Sequence, residues 1–274
     1  MKKMFTFLAL VLAVAWGTVS ADGEMVQELD KGSIDWSHLV IYATGIGAPN
    51  PNMPQGTQRP ITKRAAMQDA YRNLLEIVQG VNITSETTVE NFMLKDDVIR
   101  SKVEGLIKNF KEDKVKYMSD GTIEVTIKMV VTGELAKTLL PLYGQQKEIP
   151  VVSGSVSDTE KAIEYTGLII DARNFTVLPC MAPKVFNDDN TPIYDASYVD
   201  ADYAVKMGVV GYSKDVENAK RDERVVGNPL VIVASKTASN SMDIYINGAD
   251  AVKVTNNVKL LEAVKKCKVM FVIK

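Results

Sequence analysis

Histidine occurs once and cysteine twice in the 274 residues. A single histidine leaves no material for a histidine-rich metal centre, and no Ser-His-Asp or Cys-His set can be assembled around it. Two cysteines exclude a small scaffold held by several disulfides. No charge of one sign dominates: 34 acidic and 32 basic residues give a formal charge of −2. That balance predicts neither a nucleic-acid-binding surface nor a polybasic membrane patch. Beyond residue 21 no apolar run approaches the roughly 20 residues needed to cross a bilayer. What is present is ordinary globular composition, 46% hydrophobic and 24% charged. The length suits one large domain or two small ones.

The first residues read as an address. Lys2 and Lys3 precede an uncharged apolar stretch from Phe5 to Trp16, and Val19-Ser20-Ala21 places small residues at a cleavage position. Residues 1–21 are therefore expected to be a signal peptide, with Asp22 the first residue after processing. No cysteine follows the leader to carry a lipid anchor. The expectation is a bacterial protein, periplasmic or otherwise exported, with no transmembrane segment after cleavage.

Residues 37–144 read as a first domain. His38 to Ile46 alternates as a strand with apolar residues on both faces, and Ala48 to Pro60, with four prolines, reads as a loop. Thr62 is placed to cap a helix from Lys63 to Gln79, stopped by Gly80. Ala66, Met67, Ala70, Tyr71, Leu74, Leu75, Ile77 and Val78 share one half of its wheel, while Gln68, Asp69, Arg72, Asn73, Glu76 and Gln79 fill the other. Val81 to Val89 reads as extended, and a weaker helix is expected from Asp96 to Glu104. Strands on either side of Ser119-Asp120-Gly121 pose a register question. A three-residue loop pairs Tyr117 with Ile123 and Val115 with Val125, gathering the apolar residues on one face; a two-residue loop turns lysines inward instead. The spacing predicts the three-residue loop, with Asp120 and Gly121 as its structural turn and Gly121 left-handed.

The residues Ala43-Thr44-Gly45-Ile46-Gly47, the helix Lys63 to Leu75, Gly80-Val81, Thr87, Val89, Asp120-Gly121 and Val125 together resemble the bacterial Lpp-twenty lipoprotein family. That family includes the flagellar envelope protein FlgP and is related in style to FlgT. The resemblance implies a helix on a short antiparallel sheet and a role in the cell envelope, at the outer membrane or in the flagellar basal apparatus. It implies no catalytic residue. Members usually begin at a lipidated cysteine, which this chain lacks.

Residues 145–164 read as an exposed linker and residues 165–274 as a β-rich α+β domain. Its expected strands are Tyr165–Arg173, Met181–Phe186, Ile193-Tyr194, Val205–Tyr212, Leu230–Ala234, Asp243–Ile246 and Val269–Ile273, with helices Asp215–Arg224 and Val258–Lys266. The stretch Tyr165 to Tyr194 also resembles a segment that follows the first domain in flagellar-type relatives. The expected fold class is α+β throughout.

Possible sites are few. Gly45-Ile46-Gly47 lacks the third glycine and the following helix of a dinucleotide loop. Asn187-Asp188-Asp189-Asn190 lacks the spacing of a calcium loop and reads as a hairpin tip. His38 stands alone. Asp171 and Arg173 share one side of a strand as an ion pair, and Lys214 to Arg224 reads as a solvated charged face. Cys180 and Cys267 are either one disulfide, the reading favoured in an exported protein, or two buried thiols. No catalytic, metal or cofactor residue is expected. The function expected is that of a non-enzymatic envelope protein acting by self-association or by docking on other envelope proteins. The alternative is a soluble periplasmic module binding a small molecule or cell-wall material, with the Pro-rich loop as its lid.

Overall fold

A computed structural model describes residues 23–140 and 146–274; the expected leader, residues 1–21, lies outside the described residues. The first unit contains β1 (Val26–Leu29), β2 (Gly32–Asp35), β3 (Val40–Gly47), α1 (Gln55–Gly80), β4 (Asn82–Thr84), β5 (Thr87–Thr88), α2 (Val89–Lys95), α3 (Asp97–Ile107), β6 (Lys111–Tyr117), β7 (Ile123–Val130) and α4 (Glu134–Leu139). Among the described residues its main sheet has five antiparallel strands in the order β1-β2-β3-β7-β6. The sheet begins at Val26, ahead of the expected start at Ser37, because the β1–β2 hairpin pairs onto β3.

Small residues set the distance between α1 and the sheet. A Cβ on Gly45 would lie 2.0 Å from the Ala70 nitrogen, and one on Gly47 2.2 Å from the Thr62 carbonyl oxygen. Ala66 and Ala70 face these glycines and are fully buried. The helix therefore rests almost backbone to backbone on β3, which is what Gly45 and Gly47 are for. Two expectations are corrected here. The helix starts at Gln55 rather than after a Thr62 cap: the Pro54 carbonyl accepts from Thr57 and Gln58, and Thr62 is buried in mid-helix. Pro60 is accommodated in the second turn, where it removes one backbone donor. Asn73, assigned to the polar half, is buried, and its Nδ2 donates to the Thr44 carbonyl at 2.7 Å.

The second unit contains α5 (Asp158–Lys161), β8 (Leu168–Asp171), β9 (Val185–Asn187), β10 (Pro192–Tyr194), α6 (Ala201–Met207), β11 (Gly211–Ser213), α7 (Val216–Arg221), β12 (Leu230–Thr237), β13 (Ile244–Ile246), α8 (Gly248–Asn256), α9 (Val258–Lys265) and β14 (Val269–Val272). Its seven described strands run in the order β10-β9-β13-β12-β8-β14-β11. The neighbours β12, β8, β14 and β11 are mutually parallel. Parallel strands are covered on both faces, which accounts for the unbroken apolar runs Leu168-Ile169-Ile170 and Val269-Met270-Phe271-Val272. The expected strand Val205–Tyr212 is instead the end of α6 and then β11. Asp200 caps α6 by accepting from the Asp202 N–H, and Gly208 ends it at φ +78°.

Mixed α and β structure, a helix on an antiparallel sheet followed by a second unit, is the observed class. The two units share one hydrophobic core. Trp36 meets Tyr212 edge-on, Ser37 Oγ donates to the Tyr212 carbonyl at 2.8 Å, and the Met181 and Ala182 N–H groups donate to Asn82 and Ile83. The expected linker is not a free tether: Ile149 is buried, and Val152 exchanges hydrogen bonds with Thr255 and Asn256. Among the described residues no helix is long and apolar enough to cross a membrane.

Candidate functional site

The second sheet is covered unevenly. On one face α7 packs over Ile169, Met270 and Val272 through Ala219 and Val216. The helix packs against β8, β14 and β11, at one end of the seven-stranded order. Val231 pairs in register with Ile169, and Val233 with Asp171, so both valines share the α7 face. They lie past the helix and are 38% and 50% exposed.

The open half continues across β13 and β9. Lys236, Tyr245 and Phe186 stand in register on neighbouring strands. The Tyr245 and Phe186 rings stack at 5.3 Å, and Lys236 Nζ lies 4.2 Å from the Tyr245 ring centre. Both aromatic residues are half-buried. Tyr245 is oriented by its hydroxyl, which donates to Asn190 Oδ1 at 3.0 Å. Thus the surface is apolar and aromatic at its centre with one cation over the ring, a composition suited to a macromolecular contact.

The sheet edges are not equally available. Pro192 occupies edge strand β10 and removes a donor from it. The other edge, β11, is bridged by Gly23, whose carbonyl accepts from the Lys214 N–H and Ser213 Oγ. Association by strand addition at the edges of the second unit, one of the routes expected, is therefore disfavoured; the face is open instead.

The residues singled out from sequence fall as follows. Cys180 and Cys267 are separate buried thiols, so the expected bridge is corrected. Each has its own surroundings. The backbone of Cys180 is clasped by the Tyr212 hydroxyl, which donates to its carbonyl at 2.8 Å and accepts from its N–H at 3.1 Å. Cys267 lies at the end of α9 with φ +58°, its thiol hydrogen-bonded to Tyr194. Burial pushes both thiols up to about 12. Gly121 has φ +87°, and Asp120 accepts from the Thr122 N–H at 2.9 Å and from its hydroxyl at 3.0 Å. Those bonds hold the Asp120 carboxyl below its usual range. Tyr117 pairs with Ile123 and Val115 with Val125. Tyr117 is nonetheless 49% exposed rather than inward: it sits at the sheet edge with the Arg59 guanidinium 4.1 Å above its ring. Pro49, Arg59, Tyr117 and Gly121 border a cavity of about 310 Å³ under the Pro-rich segment.

His38 is not alone in space. Its N–H donates to Asp35 Oδ1 at 2.9 Å, its Nδ1 contacts Asp35 Oδ2 at 2.8 Å, and Glu24 lies alongside. The hydrogen bond to Asp35 raises the histidine above its ordinary value. Asp171 accepts two bonds from the Arg173 guanidinium, which holds its carboxyl low. Asn187 Oδ1 accepts from the Asp189 and Thr191 N–H groups and closes the hairpin tip.

Arg224 was missed. Read as part of a solvated charged run, it is 6% exposed. Its guanidinium donates to the carbonyls of Gly208 at 3.0 Å, of Cys267 at 2.8 Å and of Met207. These carbonyls lie at the C-terminal ends of α6 and α9, where a cation is favoured. Burial lowers the guanidinium's affinity for its proton. Nothing local in the sequence separates this arginine from its exposed neighbours; only the fold brings the two helix ends together around it.

No curated protein matches the chain. Residues 167–274, the second unit and the open sheet face with it, match the family described as Treponema pallidum Tp0624, second domain.

Proposed function

We propose that this protein is a non-enzymatic, exported component of the bacterial cell envelope that docks on another envelope protein, in an outer-membrane or flagellar-type assembly. The observation that carries the reading is the open half of the seven-stranded sheet, where Val231, Val233, Phe186 and Tyr245 form an apolar centre beside Lys236. Aromatic residues at the centre of a patch, with polar groups around it, are the usual composition of an interface hot spot. The resemblance of residues in the first half to the Lpp-twenty family favours an envelope setting, and the match of the second unit to a treponemal domain family favours a bacterial source. The leader reading supports export.

The test is a pull-down from the envelope of the source organism with the wild-type chain and with Val233→Asp and Tyr245→Ala. Val233 is exposed and Tyr245 half-buried, and folding of both variants is checked by circular dichroism before the pull-down. The wild type retrieves a partner that both variants lose, and disruption of the gene impairs motility first. A partner retained by both variants, or a wild-type chain that is monomeric and retrieves none, overturns the reading. Amino-terminal sequencing of the envelope-fraction protein begins at Asp22; an intact Met1 chain recovered from cytosol overturns export.

A second reading, a periplasmic binding module, draws on the cavity beneath Pro49, with Arg59 and Tyr117 as its polar and aromatic walls. It predicts a monomer that binds a metabolite tightly.

A further inference from the structure

A cavity of about 340 Å³ lies at the far end of α1, between the last turn of that helix and the β1–β2 hairpin. Its apolar lining is Leu29, which is exposed, over a nearly buried floor of Ile34, Ile77 and Trp36. The indole N–H is already donated to Gln27 Oε1 at 3.0 Å, so Trp36 has no free donor for a ligand. Ligand pockets commonly begin at this size and combine an apolar wall with a few polar groups.

The rim is anionic. Asp30 and Glu76 line it, with Lys31 as the one cation. Lys31 Nζ pairs with Glu76 at 2.7 Å, and both side chains are about half exposed or more, at 47% and 59%. Among the described residues the Asp30 carboxylate has no hydrogen-bond or ion-pair partner. The helix end adds to the sign. α1 has 26 residues and no basic residue in its last turn, so the negative end of its dipole is uncompensated by its own side chains.

We propose that this cavity binds a small organic ammonium ion, its apolar body against Leu29 over the Ile34 and Ile77 floor and its cationic end between Asp30 and Glu76. An exposed pair such as Lys31–Glu76 contributes little. An incoming ammonium that also removes carbon from water therefore displaces Lys31 into solvent. An anion of the same shape meets two carboxylates and a helix C-terminus. This site lies in the first unit, away from the open sheet face, so neither proposal depends on the other.

The experiment is calorimetric titration of the full chain with 2-phenylethylammonium chloride and, separately, with sodium phenylacetate. The same titrations use an Asp30→Asn/Glu76→Gln double variant; both residues are on the rim and exposed, and folding is checked by circular dichroism. A third protein, Gly80→Leu, places a side chain at the cavity mouth, where open space surrounds the glycine Cα. The expected result is saturable one-to-one binding of the ammonium, at least tenfold weaker in both variants, with phenylacetate at least tenfold weaker than the ammonium on the wild type. No saturable ammonium binding, equal binding of the two probes, or affinity unchanged in the double variant overturns the proposal.

Discussion

Trp36 and Tyr212 meet at the seam of the two sheets, ring centres 5.7 Å apart and planes at 70°. Tyr212 also stands edge-on to Phe271 at 5.9 Å, which extends the contact into the second sheet. Because the core runs unbroken through this contact, the two units are expected to unfold together. Trp36→Ala lowers stability by about 3–5 kcal/mol. Tyr212→Phe orphans the Cys180 N–H and carbonyl and costs roughly 2 kcal/mol. Urea unfolding followed by fluorescence and by circular dichroism should give coincident single transitions; two separate transitions would show independent units.

Gly45 and Gly121 are glycines for different reasons and should respond differently. At Gly45 the obstacle is helix backbone, 2.0 Å from a Cβ, which cannot move without lifting α1. Gly45→Ala is expected to cost about 3 kcal/mol, the upper end for overpacking. At Gly121 the obstacle is φ, with Pro49 3.1 Å from a Cβ. Gly121→Val costs on the order of 1–2 kcal/mol for that conformation. Thermal melts of the two variants rank them, and the reverse order would contradict the helix-on-sheet contact.

Arg224 holds three carbonyls from two helix ends. Arg224→Met keeps the length and loses all three bonds, with an expected cost of about 3 kcal/mol or more from the orphaned acceptors. Arg224→Lys is intermediate, since one ammonium cannot fork to three carbonyls. Equal stability of wild type and Arg224→Met in urea would refute this account.

Cys180 and Cys267 are expected to be inert to a water-soluble disulfide reagent in the native state and to react with two equivalents after unfolding. A reductant leaves the melting temperature unchanged. Their folded values are raised, so the associated stability is whole below the unfolded value near 9 and is lost as pH rises toward about 12. A native chain with fewer than two reactive thiols after denaturation would mean the bridge exists.

His38 is raised by its bond to Asp35. A raised folded value means that its contribution is complete below about 6.5 and fades as pH rises through the folded value. His38→Ala should therefore lose more stability at pH 5.5 than at pH 8. The loss is small because the imidazole is 60% exposed. An equal loss at both pH values would leave the pair without a role.

Local pattern alone determined the α+β class, the amphipathic helix with its stop at Gly80, and the Asp120-Gly121 turn with its register. Each follows from neighbours a few residues apart: a 3.6-residue period, or the side-chain reversal that a one-residue slip would cause. The caps of α6, Asp200 and Gly208, went unread because Val205, Val209 and Val210 pointed to a strand. Tertiary structure decided the rest. The β1–β2 hairpin is a strand pair only because β3 offers an edge. Asn73 and Arg224 are polar residues placed in the interior, where distant carbonyls satisfy them, and no periodicity marks such a partner. The two cysteines are separate buried thiols, Cys180 with its backbone held by Tyr212 and Cys267 at the end of α9. The open sheet face exists because α7 packs on β8, β14 and β11, at one end of the sheet. The helix can be read along the chain; strand order, which sets which strands that helix leaves bare, depends on pairings between residues far apart in sequence.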